Sequence, residues 1–194
     1  MLDNLNKYKI VLASNSPRRR ELLQGLGLNF EVRTLKDIDE SYPETLKGED
    51  IPKYICRKKA EAYLAQMAAD ELIITADTIV YCDGEVLGKP ADDQEAVDML
   101  RKLRGKTHQV ITGVSIVTKH AQRVFATTSQ VEFDDISDAD IDYYVSHFHP
   151  TDKAGAYGIQ EWIGYIAVLR LEGSYFNVMG LPVQRLYKEL STID

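Results

Sequence analysis

The chain of 194 residues has little cysteine, one tryptophan and fewer basic than acidic side chains. Each scarcity excludes something. Cys56 and Cys82 have no metal-type spacing, which rules out a disulfide framework and a cysteine zinc site and predicts a reducing compartment. No apolar run is long enough to span a bilayer. The start, Met1 to Lys9, is polar and lacks the apolar centre of a signal peptide, so the expectation is a cytoplasmic protein with no membrane contact. Lys and Arg number 23 against 30 Asp and Glu, for a net charge of −7. An acidic chain has no footprint for sequence-independent nucleic-acid binding. It can still hold a small anion if its cations gather in one pocket. There is no internal repeat and no low-complexity linker, and the length suits one domain, or two lobes sharing a cleft.

What is present begins with Ile10-Val11-Leu12, a short buried strand, followed by Ser16-Pro17-Arg18-Arg19. Ser16 suits an N-cap and Pro17 the first helical position. Leu22, Leu23 and Leu26 mark the buried side of the helix, which stops near Gly25 or Gly27. Arg18 and Arg19 then occupy the first turn, where the helix dipole disfavours cations and free N–H groups attract anions. A polyanion resolves that conflict, because guanidinium forks bind phosphate; a solvated basic turn is the plainer alternative. Asn29 to Val32 predicts a second strand. Asp37 to Pro43 is an acidic loop, either solvated or lending a carboxylate, Glu40 foremost, to a divalent metal. Ile51 to Ala69 predicts a helix with Ile51, Ile55 and Ala62 on one face and Lys58 and Lys59 on or beside it. Periodicity does not choose between the two lysines.

Glu71 to Cys82 is rich in β-branched residues and reads as a strand. Asp77 interrupts it, and a carboxylate there is costly unless paired, metal-bound or facing a cleft. Asp83-Gly84 signals a tight hairpin. Gly88 and Pro90 fix the backbone around Lys89, which is an aimed ammonium or an ordinary turn lysine. Asp93 to Leu103 predicts an amphipathic helix, His108 to Val117 a strand in which Gly113 marks a bulge or a close approach, Arg123 to Phe133 its antiparallel neighbour, and Ser137 to His147 a capped helix facing inward with Ile141, Tyr144 and Val145. His147 and His149 form a weak metal pair better read as solvated. Lys153 to Gln160 is a small-residue loop pressed against a ligand or another backbone. Ile163 to Leu171 and Tyr175 to Val178 read as a hairpin, and Pro182 opens a last helix with Leu186, Tyr187 and Leu190 inward.

Taken in order, Leu12–Leu23, Lys59-Ala60-Glu61, Ala76–Val80, Gly88-Lys89-Pro90, Thr107–Val110, Lys153–Gln160 and Gly180-Leu181-Pro182 resemble the Maf family of nucleoside triphosphate pyrophosphatases, along nearly the whole chain. The resemblance implies an α/β fold of the Maf and inosine-triphosphatase type: one domain, residues 1–194, in two lobes with a long mixed sheet and a central cleft. It implies hydrolysis of a nucleoside triphosphate to the monophosphate and pyrophosphate with a divalent cation, Mg2+ or Mn2+, and a homodimer. It carries phosphate binding to Arg18, Arg19, Lys59 and Lys89, thereby choosing Lys59 over Lys58. It carries the catalytic carboxylate to Asp77 and base discrimination to Arg18, Thr78 and Gln160. The metal ligands would be Glu40 and Asp77. The Lys-Ala-Gly-Ala-Tyr-Gly-Ile-Gln stretch is similar to the branch acting on dTTP and UTP. Trp162, where many relatives have small residues, bears on the shape of the pocket and so on the ranking of dTTP, UTP and modified pyrimidines. Competing readings are a pyrophosphatase for noncanonical purine triphosphates and a noncatalytic nucleotide-binding regulator of septum formation. The presence of Asp77 as well as the four cations favours chemistry, since mere binding does not need the carboxylate.

Overall fold

A computed structural model describes residues 2–193. Its seven-stranded mixed sheet has the order β2-β1-β3-β5-β6-β7, with β4 paired to β3. The strands are β1 (Lys9–Leu12), β2 (Phe30–Val32), β3 (Glu71–Cys82), β4 (Glu85–Leu87), β5 (Thr107–Val117), β6 (Gln122–Phe133) and β7 (Val168–Glu172). The helices are α1 (Pro17–Gln24), α2 (Asp50–Leu64), α3 (Asp93–Leu103), α4 (Asp138–Phe148), α5 (Trp162–Ala167), α6 (Tyr175–Val178) and α7 (Val183–Leu190). By contact density the chain forms two compact units. One holds the chain up to Asp77, Thr112–Thr127 and the stretch from Gly180 on; the other holds Thr78–Ile111 and Thr128–Met179.

In the first unit β1 runs parallel to both β2 and β3. Its three apolar residues are buried on both faces, as a parallel strand requires. Val11, Ile73 and Val117 pack with Ala60, Tyr63 and Met67 of the α2 region. Gly113 explains how closely α2 approaches the sheet: a Cβ there would stand 2.4 Å from the backbone carbon and oxygen of Pro52. The close approach expected at Gly113 is therefore to a helix. α2 stops at Leu64 rather than Ala69, and its buried stripe is Ile55, Cys56, Ala60 and Tyr63, with Ala62 exposed. Helix propensity of the alanines loses here to tertiary contacts. Met67 is drawn into the core and the Glu71 carboxylate accepts the Ala68 N–H at 3.0 Å. In α7, Val183, Leu186 and Leu190 are buried, whereas Tyr187 is 38% exposed.

In the second unit β3 turns into antiparallel β4 through Asp83-Gly84, both with positive φ, the backbone of a two-residue hairpin. α3 places Ala96, Met99, Leu100 and Leu103 in a core shared with Phe133 and Tyr144. α4 starts with a full capping box between Ser137 and Asp140. The hairpin expected over 163–178 does not form. Ile163 lies in α5, β7 pairs antiparallel with β6, and Tyr175–Val178 is a helical turn capped by Ser174. A β-rich composition misleads here. Asn177 is fully buried and donates from Nδ2 to the Val110 carbonyl and to Ser129 Oγ, each at 3.0 Å, which fixes the turn as a helix. No helix among the described residues is long and apolar enough to cross a membrane.

Candidate active site

In the first unit the candidate site is built on Asp77, 8% exposed in mid-strand. Strand and helix are locked together two residues earlier, where buried Thr75 donates from Oγ1 to the Cys56 carbonyl at 2.6 Å. Residues i and i+2 of a strand share a face, so Asp77 follows Thr75 toward α2, one turn beyond Cys56. There it meets Lys59, with Nζ to Oδ1 at 2.8 Å. Glu40 approaches the same ammonium at 3.1 Å. The neighbouring lysine is used differently. Lys58 Nζ binds Asp39 Oδ2 at 2.6 Å and the Ser41 carbonyl at 3.2 Å, and this bond, with Ser41, holds the Asp39 carboxyl well below the usual carboxylate range. Adjacent lysines thus grip adjacent acids, and the acidic loop is tied to α2. The structure brings Lys59, not Lys58, to Asp77.

α1 delivers the arginines as its sequence predicts: Ser16 Oγ accepts the Arg19 N–H, and Pro17 occupies the first turn. The Arg19 guanidinium donates to the Gly180 carbonyl at 2.8 Å, the Ala76 carbonyl at 2.9 Å and Ser14 Oγ at 3.4 Å. Burial lowers its pKa from the ordinary value, Asp77 opposes that shift and Arg18 reinforces it. A guanidinium keeps its proton even so, and Arg19 is held against the carbonyl just before Asp77. Arg18 is half-buried. The bonds that Arg19 donates to Ser14, Ala76 and Gly180 carry no signal in the spacing of residues, because two of the three acceptors are backbone carbonyls.

Glu40 and Asp77 converge on one cationic atom, Lys59 Nζ. Two hard carboxylate donors suit Mg2+ or Mn2+, which take one or two carboxylates and complete their shell with water and substrate phosphate. No cluster of three or more His, Cys, Asp or Glu residues that could hold a metal occurs among the described residues. His147 and His149 are exposed; their Nδ1 atoms lie 2.8 Å from the Tyr143 carbonyl and 3.2 Å from Asp93 respectively.

The second unit carries Thr78, Lys89 and Gln160. Lys89 is exposed, in a turn pinned where the Gly155 N–H donates to the Gly88 carbonyl at 3.0 Å. Gly155 has φ +68, and a Cβ on it would stand 2.7 Å from the Val80 side chain. The glycine-rich loop is thus pressed onto β3, on the strand face that Val80 shares with half-buried Thr78. The next turn of the loop is held by Tyr157, whose hydroxyl lies 2.7 Å from Nε2 of buried His108. Gln160 is half-buried, and its Oε1 is buried with no hydrogen-bond partner among the described residues. Trp162 packs against Tyr143, ring centres 4.8 Å apart. Tyr144, expected on the inner face of its helix, and His108, expected only in a strand, carry polar bonds to this loop.

A guanidinium and an ammonium thus flank a mid-strand carboxylate in an α/β protein. The family model described as Maf-like protein matches residues 9–193, and the chain belongs to the Maf family. A protein of Phocaeicola vulgatus named dTTP/UTP pyrophosphatase is 62% identical over 193 residues, covering 100% of both chains. Proteins of the same name from Bacteroides fragilis and Parabacteroides distasonis are 57% and 60% identical, over 100% and 98% of both chains. Among solved structures, a HAM1 protein from Coxiella burnetii aligns over 96% of this chain and 100% of its own, with TM-score 0.49 and 13% identity.

Proposed function

We propose that the protein hydrolyses dTTP and UTP to the monophosphate and pyrophosphate. The observation that carries this reading is the pairing of Asp77 with Lys59, beside Arg19, in a family whose full-length relatives bear that activity in their names. A triphosphate carries about four negative charges near neutrality, and its transfer chemistry is mostly positioning and charge neutralisation. Arg18, Arg19, Lys59 and Lys89 supply positive charge for the phosphates. Asp77 takes the proton of the water that attacks the α-phosphorus. The bond from that phosphorus to the bridging oxygen breaks, and pyrophosphate leaves. Glu40 and Asp77 are the residues that would hold Mg2+ or Mn2+, which when bound neutralises phosphate charge and acidifies water.

Gln160, with Arg18 and Thr78, reads the base in this proposal. A buried acceptor left unpaired costs about 1–3 kcal/mol. The imide N3–H of uracil or thymine is a donor that would satisfy Gln160 Oε1; the N3 of cytosine is an acceptor and would not. The homodimer implied by the family is included in the proposal. A panel of nucleoside triphosphates, assayed with and without Mg2+ for pyrophosphate and monophosphate, is the test. The expected result is metal-dependent release with dTTP and UTP at least about tenfold ahead of CTP and the purines in kcat/KM, the discrimination a hydrogen-bonding site readily supplies. Preference for inosine or xanthosine triphosphate would contradict it.

A further inference from the structure

Gln160 can discriminate only if its amide is held one way round, since a flipped amide matches cytosine as well as uracil. The surroundings of Gly158 show what holds it. A Cβ on Gly158 would lie 3.0 Å from Gln160 Nε2, 3.0 Å from Glu161 Oε2 and 2.8 Å from Glu161 Cδ. The amide nitrogen and the carboxylate therefore share the space above one glycine. A carboxylate favours the NH2 end of the amide beside it and disfavours the oxygen, so Oε1 is turned away, into its buried and unpartnered position.

The carboxylate is itself fixed. Tyr144, fully buried in α4, donates its hydroxyl to Glu161 Oε2 and accepts the Gly158 N–H at 3.0 Å. Burial, then the Glu161 carboxylate, push the Tyr144 phenol well above its ordinary pKa, so it stays a donor. Lys153, its side chain 9% exposed, binds Glu161 Oε1 at 3.0 Å and Asp152 Oδ1 at 2.7 Å. Both carboxylate oxygens of Glu161 are thus engaged, and one of the partners also ties down the backbone of Gly158. Packing alone would be met by an apolar residue at 161; a half-buried carboxylate held at both oxygens points to electrostatic orientation of its neighbour.

We propose that Glu161, held by Tyr144 and Lys153, is a positioning residue that sets the orientation of the Gln160 amide and so selects imide bases over cytosine. The inference rests on the base-reading role proposed for Gln160. The test compares kcat/KM for UTP and CTP in the wild type, Glu161→Gln, Gln160→Ala and the double variant, with Tyr144→Phe as a second perturbation that keeps the Glu161 charge but releases it. Glu161→Gln keeps the size of the side chain and one acceptor oxygen, for Tyr144 or Lys153, but removes the charge. It should raise CTP turnover and lower the UTP:CTP ratio about tenfold, the size of effect that a small misplacement of a recognition group produces. Tyr144→Phe should lower the ratio too, and the double variant should fall no further than Gln160→Ala alone. A purely structural role would lower melting temperature and scale both substrates equally, and that result overturns the inference. If Gln160→Ala lowers the ratio while Glu161→Gln and Tyr144→Phe leave it within about twofold, the positioning role fails and the base-reading role stands. If Gln160→Ala itself leaves the ratio unchanged, both fall.

Discussion

Asp77→Asn is expected to lower kcat about a thousandfold while the protein stays folded, within the range that a positioned proton acceptor contributes. The fold should survive because asparagine has the shape of aspartate and its amide oxygen can still accept from Lys59, which also keeps Glu40 as a counter-ion. What is lost is the group that receives the proton of the attacking water. Asp77 is also a proposed metal ligand, so the assay is run at saturating Mg2+, where the loss reads in kcat. Single-turnover kinetics and a thermal melt on the same preparation separate the two effects. A folded variant keeping more than about a tenth of the wild-type rate would remove Asp77 from the chemistry.

His108 should make the protein lose stability in acid by an amount that can be isolated. It is 1% exposed, edge-on to the rings of Phe133 and Tyr157, and burial pushes its pKa down to about 4. In the unfolded chain the imidazole titrates near its ordinary value of 6.5. Between those values the unfolded state binds the extra proton, so stability rises with pH across the window. The contribution is complete above pH 6.5 and is lost as pH falls toward 4, a swing of about 3 kcal/mol at full size. Asp39, Asp70, Glu71 and Asp138, whose pKa values are held low, also cost stability on acidification, but mainly once pH falls below their ordinary values of 3.8 to 4.5. His108→Gln shares those carboxylates and lacks the imidazole. The difference in unfolding free energy between the two proteins should therefore shrink in favour of the variant as pH drops from 7 to 4.5. A difference flat across that range would show that His108 is not held neutral.

Much of the fold was written in local signals. Ser16-Pro17, Asp83-Gly84, the Ser137 box and the period of α3 each act within a few residues, so their physics is visible in the chain. The misread elements are those decided at a distance. Tyr175–Val178 is a helix because Asn177 is satisfied by Val110 and Ser129, 67 and 48 positions away. α2 ends early because Met67 and Glu71 have other uses. The same divide runs through the candidate site. Asp77 was conspicuous as a carboxylate in an apolar strand, and the two arginines as cations at the wrong end of a helix. The choice of Lys59 over Lys58 needed the family resemblance, and the structure gives its physical basis in the Thr75–Cys56 lock. Glu161 and Tyr144 were invisible because a half-buried acid and an inward tyrosine look alike in sequence whether or not they share a bond.

The central claim is that water attacks the α-phosphorus and pyrophosphate leaves intact. Turnover of UTP in oxygen-18 water, followed by mass spectrometry of the products, tests it most directly. The account predicts the label in UMP and none in pyrophosphate. Label in pyrophosphate, or orthophosphate as the first product, would contradict it.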